Sequence, residues 1–148
     1  MIVAAGLEVP GYTSAMRAIW IQPDPSYLAE RARLGLDKKD EVWDGVLHMV
    51  SPPASRHEDV VTRLLIVLYP ICDARQLVVS MGGLYARDEN YRCPDVIVGR
   101  SAQRSERGFE GAELVIEVLS PNDESRDKFP FFAKVGVREV WLIEPKTR

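Results

Sequence analysis

Two acids stand inside apolar runs of strand type. Asp95 falls in Tyr91-Arg92-Cys93-Pro94-Asp95-Val96-Ile97-Val98, and Glu117 in Glu113-Leu114-Val115-Ile116-Glu117-Val118-Leu119-Ser120. Short β-branched runs bounded by turn residues become buried strands. A carboxylate placed there is costly unless it is paired, hydrogen-bonded or bound to a cation. Two of them on neighbouring strands repel, and a hard divalent cation with oxygen ligands relieves that repulsion. The alternative reading is a pair of salt-bridged strand ends. Nucleophilic chemistry has less support. Cys93 lies two positions before Asp95 and could line a site without acting in it, while Ser120-Pro121 reads as a strand stop. A Gly-x-Ser-x-Gly elbow is absent, as are CxxC and paired-histidine spacings that would suggest zinc.

The elements that must position these acids can be read in outline. Residues 1–25 form an irregular N-terminal segment broken by Pro10, Pro23 and Pro25, and residues 26–148 form the domain proper. Ser26 to Leu34 reads as a short helix capped by Ser26 and stopped by Gly35. Glu41 to Val50 reads as a β-hairpin around Asp44-Gly45, a pair that favours a type I′ turn. Ser55 is placed to cap a helix over about His57 to Tyr69, whose apolar stripe is Val60, Val61, Leu64, Leu65 and Leu68. Three strands follow: Gln76–Ser80 extending toward Tyr85, Cys93–Val98 and Glu113–Leu119. A second helix over Asp127 to Val135 carries Pro130 in its first turn and stops at Gly136, and a last strand spans Val140–Glu144. A meander, a crossover helix and one more strand predict an α/β (α+β) fold, with a mixed sheet flanked by helices on both faces.

Composition sets the frame. At 148 residues, with 46% hydrophobic and 28% charged residues, the chain fits one domain with its own core. The longest apolar run is far short of a membrane span. The start, Met1-Ile2-Val3-Ala4-Ala5-Gly6, has no basic region ahead of its apolar stretch, so the expectation is a cytoplasmic protein whose Cys72 and Cys93 are reduced. A net charge of -3 does not decide for or against nucleic acid, which needs a local basic cluster. Arg100, Arg104 and Arg107, between the two acidic strands, are one candidate; a solvated connecting loop is the plainer reading.

Several ordered segments together resemble a known family. They are Glu41-Val-Trp-Asp44-Gly45, Met49 with Pro52-Pro53, His57 heading a helix, Pro94-Asp95-Val96, and Leu114-Val-Ile-Glu117-Val-Leu-Ser120-Pro121. Further on come Lys128 and Ala133-Lys-Val-Gly136-Val137-Arg-Glu-Val-Trp141-Leu-Ile-Glu-Pro145. The set resembles the Uma-two family, formerly domain of unknown function 820, within the PD-(D/E)XK nuclease superfamily. It implies a restriction-endonuclease-like core preceded by an N-terminal β-hairpin, and a magnesium-dependent endonuclease acting on DNA, with manganese as a substitute. Asp95 and Glu117 would be the metal ligands. The superfamily lysine two residues after Glu117 is replaced by Leu119, and the resemblance assigns that cation to Lys128 instead. The Pro121–Lys128 segment is shorter than the family pattern, which makes Arg126 the substitute if Lys128 swings away. His57 and Glu41 occupy family positions beside the cleft. The chain also ends soon after its last strand where the family pattern continues, as expected either of a C-terminally shortened member or of one whose tail is missing from this sequence, and a missing tail would expose an edge strand or part of a homodimer surface. The opposing expectation is a weak or inactive member that binds nucleic acid or protein.

Overall fold

The computed structural model describes residues 18–20, 24–87, 89–121 and 124–145. The expected irregularity of residues 1–17 and 21–23 lies outside the described residues, but Ala18–Trp20 within the same segment is a strand, β1. Helix α1 spans Pro25–Arg33. Its cap is Asp24 rather than Ser26: the Asp24 carboxylate accepts from both the N–H and the hydroxyl of Ser26, and Pro25 takes the first helical position where no N–H is needed. The hairpin forms as expected from β2 (Glu41–Trp43) and β3 (Val46–Met49). Asp44 and Gly45 both sit at positive φ, 48° and 89°, as a type I′ turn demands.

Helix α2 is longer than its stripe suggested, running Ser55–Asp73 with Ala54 at the cap position and no side-chain cap. The run expected as one strand toward Tyr85 is two strands in different sheets, β4 (Val78–Ser80) and β5 (Leu84–Arg87). Gly82-Gly83 separates them, and a Cβ on Gly83 would lie 2.2 Å from the Tyr85 ring, so the chain turns where only glycine fits. Asn90–Arg92 makes a further short strand, β6. After Cys93-Pro94-Asp95 come β7 (Val96–Gly99) and β8 (Leu114–Val118). The second helix begins as a 3-10 turn over Ser125–Lys128 and continues as α3, Phe129–Lys134, before the final strand β9, Glu139–Ile143.

The strands form two sheets. One is wholly antiparallel, in the order β1-β3-β2-β6-β5; the other is mixed, in the order β4-β7-β8-β9, with β9 parallel to β8 after the α3 crossover. Strand alternation divides the core. Val96, Ile116 and Val118 face α2 through Val61, Leu64 and Leu65, while Ile97 and Val115 face Phe131 and Phe132 of α3. The mixed sheet with a helix on each face is the expected restriction-endonuclease-like arrangement.

Candidate active site

In the register of β7 and β8, Val96 faces Ile116; Asp95 is the bend residue just before β7 and Glu117 the β8 residue just after Ile116. Both acids line one cavity of about 410 Å³. The same alternation that sends Val115 toward α3 sends Glu117 there too. Glu117 is 4% exposed, and burial pushes its carboxyl up to about 7 despite the opposing pull of Lys128. Asp95 is fixed differently: its Oδ2 accepts from the Val118 N–H at 2.8 Å and lies 3.1 Å from His57 Nε2. Burial works to raise its pKa, and these two contacts outweigh it, so the net shift is downward.

The 3-10 turn before α3 carries Lys128 over Glu117. Its Nζ donates to Glu117 Oε1 at 3.1 Å and to Glu41 Oε1 at 2.9 Å. Burial disfavours the ammonium, yet the two carboxylates hold its pKa above the usual lysine value. Lys128 has therefore not swung away from the acids, and Arg126 is exposed. Glu41, 3% exposed, is held from two further directions, by the Cys93 N–H on Oε1 at 2.8 Å and by Trp43 Nε1 on Oε2 at 2.7 Å. The Trp43 ring stacks on His48 at 4.2 Å on one side, with the Arg92 guanidinium 4.3 Å from its centroid. That guanidinium is also 4.3 Å from the Phe131 ring centroid.

All five residues singled out in the sequence, Glu41, His57, Asp95, Glu117 and Lys128, border the same cavity. His57, in the first turn of α2, has its pKa raised chiefly by Asp95, and its Nδ1 is buried without a hydrogen-bond partner. Cys93 borders the cavity too, but burial pushes its thiol up to about 12, which disfavours the thiolate that nucleophilic attack needs. The arginines of the connecting segment are elsewhere, beyond the opposite end of β7. Arg100 pairs with Glu113 at 2.9 Å and Arg107 with Glu110 at 3.1 Å, while Arg104 lies over Phe109. Sequence reading missed Trp43 and Arg92 as parts of the site. Trp43 entered only as part of the hairpin segment, and the only signal for Arg92 was a charge three positions before Asp95.

The donor set can be tested against a divalent cation. Among the described residues, no group of three or more His, Cys, Asp or Glu is arranged to hold a metal. A closed protein cage is therefore not built here. Magnesium, however, takes one or two carboxylates and completes its shell with water and phosphate. Contacts among the described residues engage Asp95 Oδ2 and Glu117 Oε1, leaving Asp95 Oδ1 and Glu117 Oε2 without a donor. Two carboxylates that line one cavity, each with one oxygen that accepts no hydrogen bond among the described residues, fit that mode.

Comparison with solved structures finds a crystal structure from Anabaena variabilis described as "a putative nuclease belonging to DUF820". It is 17% identical, covers 74% of this chain and 68% of its own, and superposes with a TM-score of 0.60, a likeness of fold. No curated protein matches the chain. The family model described as Uma2, "putative restriction endonuclease", matches residues 26–148, the stretch that contains every residue of the cavity named above, and the chain belongs to that family.

Proposed function

We propose that the chain is a metal-dependent nuclease that hydrolyses phosphodiester bonds of DNA. The observation that carries this reading is that Asp95 and Glu117 border one cavity with the Lys128 ammonium against Glu117. Asp95 Oδ1 and Glu117 Oε2 are the oxygens that would hold magnesium or manganese. Such an ion, when bound, lowers the pKa of water and neutralises charge on the scissile phosphate. His57 and the Val118 N–H fix the Asp95 carboxylate through Oδ2, which leaves Oδ1 as the oxygen that would take the ion. Lys128 supplies a fixed positive charge for the phosphate or the attacking water, where charge develops in the transition state. Glu41, itself held by Trp43 and Cys93, orients that amine.

The test is cleavage of plasmid DNA in magnesium or manganese by the wild type, Glu117→Gln and Lys128→Ala. The wild type is expected to cut, Glu117→Gln to be inactive, and Lys128→Ala to be slower by roughly two to three orders of magnitude. Metal-independent binding of DNA without cleavage by the wild type would favour a binding module instead.

A further inference from the structure

The second half of α2 is apolar on every side. Its inner residues Leu64, Leu65 and Leu68 pack on the mixed sheet. Its outer residues Ile66, Val67, Tyr69 and Ile71 are 68%, 60%, 64% and 45% exposed, and Pro70 is exposed among them. A helix hydrophobic all round is normally buried all round, and a contiguous apolar patch of this kind marks an association surface. The charges at its two ends identify what covers it. Arg63 lies one turn before Ile66 and Asp73 one turn after Tyr69, both exposed and, among the described residues, both without an ion-pair partner. They are separated by ten residues, about 15 Å of helix. On the helical wheel Arg63, Ile66, Val67, Pro70 and Asp73 share the outward side.

We propose that this face of α2 packs against the same face of a second copy of the chain, antiparallel about a twofold axis level with Leu68. In that register Arg63 of each copy meets Asp73 of the other, and Ile66 meets Pro70. A twofold contact must be self-complementary, and a stripe that is positive at one end, apolar in the middle and negative at the other meets that condition only when antiparallel. The site described above is not needed for this contact, since the inward face of α2 and His57 in its first turn remain as they are.

Sedimentation velocity of the full chain over micromolar to hundred-micromolar concentration tests the idea. The wild type is expected to be a dimer, and Ile66→Glu a monomer with an unchanged circular dichroism spectrum, since Ile66 makes little contact within its own chain. Arg63→Asp should weaken the dimer by about a hundredfold through like charges facing each other. Adding Asp73→Arg to it should restore the dimer. A monomeric wild type, as when residues 1–17 of the same chain or a different protein cover the face, overturns the proposal. So does a dimer indifferent to Ile66→Glu, or a charge swap that fails to restore association.

Discussion

At the scale of single residues, Trp43 illustrates how an amino acid with no part in the proposed chemistry fixes its geometry. Its ring lies between His48 and Arg92, and Arg92 reaches on to Phe131 of α3. The indole N–H holds Glu41 Oε2, and Glu41 Oε1 holds Lys128. Hairpin and α3 are thus braced against one another beside the amine they orient. Trp43→Phe preserves the stacking and deletes only the donor. A buried carboxylate oxygen left unsatisfied costs about 1–3 kcal/mol, so urea unfolding should show a loss of that size. Single-turnover DNA cleavage should fall about tenfold, because the ammonium loses its fixed position. In a Glu41→Gln background the same change should cost much less, since the two groups act as one unit. Equal losses in both backgrounds would show that Trp43 does not act through Glu41. Asp95 and Glu117 were legible because an acid in a β-branched run breaks a local rule. Trp43 and Arg92 break none: an aromatic in a hairpin and an arginine beside a turn are ordinary, and their partners are set by pairing of β2 with β6, about fifty positions apart in the chain.

At the scale of elements, strong local signals survived and weak ones were overridden. The Asp44-Gly45 turn and the α2 stripe were legible because turn chemistry and helical periodicity are local. The β4–β5 division was not, since it depends on the Tyr85 ring occupying the space where Gly83 lacks a side chain. β6 escaped notice because Asn90-Tyr91-Arg92 has no strand periodicity; the buried Asn90 earns its place by bonding Asp44 and Arg92. The helix start at Ser125 is likewise tertiary, a 3-10 turn that brings Lys128 over Glu117. The hairpin turn offers a direct check. Gly45 has φ +89° and nothing within 4 Å of an added Cβ, so Gly45→Ala meets no clash and pays only for the backbone. The expected loss is about 1 kcal/mol, or roughly 2–4 °C in melting temperature. Because this hairpin carries Glu41, a larger loss of cleavage than of stability would show that the turn also sets the site.

At the scale of the whole molecule, the carboxylate pair sits where the two halves of the core meet. Asp95 is tied to α2 through His57, Glu117 to α3 through Lys128, and Glu41 ties the antiparallel sheet to both. A ligand gripping Asp95 and Glu117 therefore binds only the assembled fold, and must stabilise it by mass action. For a cation with a dissociation constant near one millimolar, ten millimolar contributes about 1.4 kcal/mol. In a domain of this size that raises the melting temperature by roughly 3–6 °C above an EDTA baseline. The rise should be absent in Asp95→Asn and Glu117→Gln, whatever their own baselines, because each loses one of the two free oxygens. It should persist in Lys128→Ala and grow somewhat, since removing the ammonium removes a competing positive charge from Glu117. This last sign separates a metal site from a structural ion pair. If Lys128 exists only to neutralise two buried acids, its removal leaves them uncompensated, and any cation, sodium included, should then stabilise the variant as well as magnesium does. If the acids are built for a hard divalent ion, magnesium and manganese should raise the melting temperature where sodium at equal ionic strength does not.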